Sequence, residues 1–85
     1  MGEDYPIEWD PTRYRYEQIA DHIAERIASG AIPPRAALPA IDRLAAEYGV
    51  ARMTIIRATE MLQERGLVRV LRGRGTFVVD PDDAG

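Results

Sequence analysis

The densest set of side chains able to do chemistry lies between residues 51 and 79, where Arg52, Arg57, Arg65, Arg69, Arg72 and Arg74 are opposed only by Glu60 and Glu64. A guanidinium presents a flat fork of donors that fits two acceptors at once, so this density points to recognition of phosphate or of the guanine edge. Every basic residue of the chain is arginine. That uniformity has two readings, a use for the bidentate fork or a high-GC coding bias without functional meaning. The net charge of −3 argues on average against a polyanionic partner, but the average hides a separation. Residues 1–10 and 80–85 carry seven acids and no base, whereas all eleven arginines lie between 11 and 79 against seven acids. Within that body, residues 11–50 balance five arginines with five acids, which leaves the positive excess in residues 51–79.

Other chemistries fail on inventory. Cysteine is absent, so thiolate nucleophiles, disulfides and cysteine zinc sites are excluded. One serine, Ser29, at a helix end and one histidine, His22, on a helix flank do not make a nucleophilic triad. A histidine so placed is read as a partly buried, hydrogen-bonded ring rather than a metal ligand. Glu60 and Glu64 share an open helix face without a pocket, and Gly73-Arg74-Gly75 lacks the strand-before, helix-after setting of a nucleotide loop. The chain is therefore expected not to be an enzyme and to hold neither cofactor nor metal.

The elements that must position the arginines read clearly. Ile19, Ile23 and Ile27, with Tyr16 and Ala20 on the same side, predict a helix from Tyr16 to Ser29, ended by Gly30 and by Pro33-Pro34. Its outward face, Glu17, Asp21 and Glu25, would repel a phosphate backbone, so this helix supports rather than touches a nucleic acid. Residues 30–38 read as a loop. Pro39 suits the first turn of a second helix reaching Tyr48, with Ile41, Leu44 and Ala45 as its apolar stripe and Gly49 as a left-handed cap. A third helix runs from Ala51 to Arg65, stopped by Gly66, with Ile55, Ala58 and Leu62 inward. Two helices across so tight a turn form a helix-turn-helix, whose second helix can enter the major groove. After Gly66 the period changes, and Leu67-Val68-Arg69-Val70-Leu71, Arg72-Gly73-Arg74-Gly75 and Thr76-Phe77-Val78-Val79 predict a β-hairpin with a doubly basic tip. The fold class is thus mainly α with a small β-hairpin, a winged helix-turn-helix of three helices plus wing. It occupies residues 14–79, between an extension at 1–13 and an acidic tail at 80–85.

On a helical wheel the third helix turns Met53 and Arg57 outward, with Ile56 and Glu60 beside them. Met53 and Ile56 could contact thymine methyl groups while Arg52 and Arg57 reach guanine edges or phosphates; the alternative is a merely sticky surface helix. Arg72 and Arg74 could enter a minor groove or meet phosphate, or form a solvated turn. Arg69 faces solvent or phosphate. Ile7 and Trp9, in a proline-broken segment, either fold back on their own domain or dock on a second subunit.

Residues 14–79 resemble the DNA-binding domain of GntR-family transcriptional regulators. The likeness is carried by Tyr16-Glu17-Gln18-Ile19-Ala20 with Ile27-Ala28-Ser29-Gly30, by Leu38-Pro39, by Tyr48-Gly49-Val50-Ala51-Arg52-Met53-Thr54, and by Arg72-Gly73-Arg74-Gly75-Thr76-Phe77-Val78. The resemblance implies base reading by Arg52, Met53 and Thr54, and minor-groove entry by Arg72, Gly73 and Arg74. Two departures stand out. The family pattern Leu-Pro-Ser-Glu-Arg is here Leu38-Pro39-Ala40-Ile41-Asp42, with an acid where an arginine helps bind DNA, and a second family arginine on the reading helix is replaced by Ile56, with Arg57 next to it. Such regulators normally continue into an effector-binding, dimerising domain, and the chain ends at Gly85, so no small-molecule effector domain is expected within it.

The expected function is sequence-specific binding of double-stranded DNA by a transcriptional regulator, a repressor acting by occlusion; a homodimer would pair two reading helices and favour a palindromic operator. The competing reading is a winged-helix protein-interaction module using Met53, Ile56 and the Trp9 segment. At 85 residues, with 46% apolar and 29% charged residues, the chain fits one globular domain. No apolar run approaches the ~20 residues that cross a bilayer, and a cytoplasmic location is expected.

Overall fold

The computed structural model describes residues 6–83. Three helices come first: α1 (Arg15–Ala28), α2 (Ile41–Tyr48) and α3 (Arg52–Glu64). A hairpin of β1 (Val68–Leu71) and β2 (Gly75–Val78) follows, then a single 3-10 turn at Pro81–Asp83. The three helices and antiparallel hairpin form the expected winged helix-turn-helix. The core is continuous across all of it: Ile19 and Ile23 of α1, Leu44 and Tyr48 of α2, Ile55 and Leu62 of α3, and Val68 and Val78 of the hairpin are buried together. Each helix delivers one stripe at three- and four-residue spacing, as burial on one face requires.

The helix-turn-helix is closed by Gly49, the C-cap of α2 at φ 70°, a left-handed conformation that costs a residue with a Cβ. The Val50 amide donates back to the Ala45 carbonyl at 3.0 Å, and Ala51, in extended backbone, is the N-cap of α3. The hairpin register pairs Val68 with Val78, Arg69 with Phe77, Val70 with Thr76 and Leu71 with Gly75. Val68 and Val78 thereby share the face turned to the helices, and Arg69 the opposite one.

The segment before α2 differs from the expected loop. Ala37 bridges Phe77 in antiparallel fashion. The amides of Arg35 and Leu38 donate to the carbonyls of Val78 and Thr76 at 2.9 and 2.8 Å, and the Val78 amide donates to the Ala36 carbonyl at 2.9 Å. β2 is consequently hydrogen-bonded on both sides, which ties the wing to the helices. This ladder holds Leu38 extended, as does the proline after it. Pro39 therefore lies outside α2, which begins at Ile41 with Ala40 as N-cap.

Ile7 and Trp9 are half-buried against their own core, the first of the two placements expected of them. The Arg15 guanidinium carbon lies 4.9 Å from the Trp9 ring centroid in a cation–π contact. Buried Gln18 anchors the approach to α1: its side-chain oxygen accepts from the Asp10 amide at 2.9 Å, and its amide nitrogen donates to the Asp10 carbonyl at 2.9 Å and the Arg13 carbonyl at 3.0 Å.

Candidate nucleic-acid interface

The amino-terminal half of α3 is held from below by Ile55 and Ala58, both fully buried, which turns Met53 and Arg57 outward. Met53 is 58% exposed. Thr54 is half-buried. Ile56, expected outward beside Met53, is also only half-buried, because a residue 100° from the inward Ile55 falls on the helix flank rather than its crest. A shallow depression joins Met53, Thr54 and Arg57 to Tyr14, Arg15 and Tyr16 at the start of α1. Tyr14 is 71% exposed, and its ring stacks on Tyr16 with centroids 5.6 Å apart. Reasoning from sequence missed this extension. Its signal was available in the alternation Arg13-Tyr14-Arg15-Tyr16, but its neighbour was not, since 37 positions separate Tyr16 from Met53.

Arg72, Gly73 and Arg74 form a separate exposed group at the hairpin turn. The Arg74 amide closes the turn on the Leu71 carbonyl at 2.9 Å, and Gly73 sits at its third position with φ 76°. Nothing lies within 4 Å of where a Cβ of Gly73 would stand, so backbone conformation rather than space calls for glycine there.

The arginines divide by their partners. Arg13 and Arg65 both bind the Asp21 carboxylate, at 2.8 and 2.9 Å, which pulls the Asp21 pKa below the usual carboxylate range, the bond to Arg13 contributing most. The outward acid ladder expected of α1 is thus partly neutralised. Arg26 binds Glu47 at 3.1 Å and the Tyr48 hydroxyl at 3.2 Å. That hydroxyl also hydrogen-bonds His22 Nδ1 at 2.8 Å, which accounts for the histidine ring by packing. Burial pushes the Tyr48 phenol up, and the Arg26 bond partly offsets it. By contrast Arg57, Arg69, Arg72 and Arg74 have no acidic partner within 4.0 Å among the described residues. Arg52 is the exception on α3: its Nε donates to the Asp42 carboxylate.

The sequence model of the family described as bacterial regulatory proteins, gntR family, matches residues 15–78. The chain belongs to that family. The chain is similar to the mannosyl-D-glycerate transport/metabolism system repressor MngR of Escherichia coli, with 43% identity over 74% of this chain and 26% of that one. It is also similar to the histidine utilization repressor of Klebsiella aerogenes, with 42% identity over 78% of this chain and 27% of that one. The chain therefore spans about a quarter of the length of these two relatives. Among solved structures it superposes on the AraR DNA-binding domain in complex with an operator, with TM-score 0.77 and 31% identity over 91% of this chain and 94% of that one. No helix among the described residues is long and apolar enough to cross a membrane.

Proposed function

We infer that this gntR-family chain is the DNA-binding part of a transcriptional repressor that occludes its operator, with residues 14–79 as the binding unit. α3 enters the major groove by its amino-terminal half, where Arg52 and Arg57 face guanine or phosphate and Met53, Thr54 and the flank of Ile56 meet apolar and polar base edges. The wing tip, Arg72-Gly73-Arg74, lies along the flanking minor groove. The observation that carries this reading is the cluster of exposed arginines in residues 51–79: Arg57, Arg69, Arg72 and Arg74 have no acidic partner within 4.0 Å among the described residues, whereas before residue 51 only Arg15 and Arg43 share that state and Arg13, Arg26 and Arg35 are bound to acids. A protein keeps cations unpaired at the surface where a polyanion will pair them. The names of the curated relatives support the repressor sign, and the operator complex of AraR supports the DNA partner. Two copies bind an inverted repeat, which places two reading helices about one DNA turn apart.

Enrichment of duplexes from a random library at near-physiological salt tests this, with anisotropy titrations of the selected duplex following. An inverted repeat is expected. Arg57→Ala should weaken binding about 5- to 150-fold if it reads a base, and Arg72→Ala should reduce the slope of log affinity against log salt by about 1 if it meets phosphate. A single half-site would remove the homodimer from the proposal. Failure to enrich any sequence would overturn DNA reading and leave Met53 and Tyr14, both well exposed, as a surface for a protein partner.

A further inference from the structure

Asp42 stands in the first turn of α2 and Arg52 is the first residue of α3, so the turn between the two helices brings their side chains together. The Arg52 Nε donates to Asp42 Oδ1 while the two side chains remain 64% and 77% exposed. An ion pair that wet adds little to folding stability. Its consequences are for where the guanidinium points and what charge it shows. Free arginine side chains lose considerable rotamer freedom when they dock, and a carboxylate already on Nε removes part of that loss. The bond also uses one edge of the fork and leaves both Nη groups, the end-on pair that matches guanine O6 and N7. At the same time the nearby negative charge makes the pair a poor anchor for a phosphate.

We propose that Asp42 is a positioning residue that holds Arg52 as a guanine reader and withholds it from the DNA backbone. This rests on the reading that α3 enters the major groove. The acid thus trades general affinity for base selectivity, and Arg57, without an acidic partner within 4.0 Å among the described residues, remains the backbone-capable arginine of the same helix.

The test is parallel selection from a random duplex library with the unaltered chain, Arg52→Ala, Asp42→Ala, Asp42→Asn and the Arg52→Ala/Asp42→Ala double variant, each first shown by circular dichroism and urea midpoint to be folded. The chain should select guanine at one position per half-site, and Arg52→Ala should lose it. Asp42→Ala should bind unselected DNA several-fold more tightly yet prefer guanine at that position about tenfold less. Asp42→Asn, which keeps an acceptor, should retain part of the preference. In the Arg52→Ala background, removing Asp42 should leave base preference unchanged. If Asp42→Ala raises affinity for all sequences equally and keeps the guanine, Asp42 is only an electrostatic penalty and the proposal is overturned while major-groove reading stands. If the unaltered chain enriches nothing, or Arg52→Ala selects the same sequences as the unaltered chain, the proposal falls with the assignment of Arg52 as a base reader.

Discussion

Tyr48 shows how much can depend on one side chain. Its hydroxyl is the buried meeting point of His22 from α1 and Arg26 one turn further on, 2.8 and 3.2 Å away. Tyr48→Phe keeps the packing and removes that point, leaving His22 Nδ1 without its bond and Arg26 with Glu47 alone. The expected loss is about 1–2 kcal/mol, because removing one partner strands the others partly desolvated. Urea denaturation with an unchanged m-value would check it. A hydrogen-bonded His22 was legible in the sequence, since its position on the flank of an apolar stripe places it at the core margin. Its partner was not legible, because Tyr48 lies 26 positions away on another helix. The same holds for Asp42: its departure from the family pattern is visible in sequence, whereas its bond to Arg52 exists only once the turn at Gly49 has folded.

The helix-turn-helix was legible as an element almost to the residue. Its caps, stripes and stop signals are local, and local signals are written in order along the chain. Gly49 is the clearest case. At φ 70° it occupies a conformation that costs an L-residue about 1–2 kcal/mol, so Gly49→Ala should destabilise the fold by that amount. Gly49→Asn should lose less, since asparagine tolerates the left-handed region better. Thermal melts of the two variants side by side would order them, and an alanine variant as stable as the parent would mean that the turn relaxes. The strand pairing of residues 35–38 was hidden for the converse reason. Two prolines and no alternation precede it, so it reads as loop, and its hydrogen bonds come wholly from β2, about 40 residues later. That pairing in turn moves the start of α2 past Pro39.

At the scale of the molecule, Asp21 gathers Arg13 from the amino-terminal approach and Arg65 from the end of α3. Its pKa lies below the ordinary 3.8 in the folded state, so the two pairs stabilise fully above that value and their contribution is lost as pH falls through the lowered one. Asp21→Asn should therefore cost less than about 1 kcal/mol at neutral pH, since exposed pairs are screened, and the difference from the parent should vanish in acid. Denaturation midpoints at pH 7 and in acid strong enough to protonate Asp21 would show it; a difference that persists there would assign the loss to packing instead. The division of charge between acidic ends and a basic stretch at residues 51–79 was present in the sequence alone, as were the three helical stripes, the hairpin and the glycines that turn the chain, because composition and period are properties of neighbours. Which arginines pair with Asp21, Glu47 and Asp42 and which stand without an acidic partner among the described residues was decided only by the tertiary structure. An ion pair depends on distances of a few ångströms between residues far apart in the chain, and only packing sets those distances.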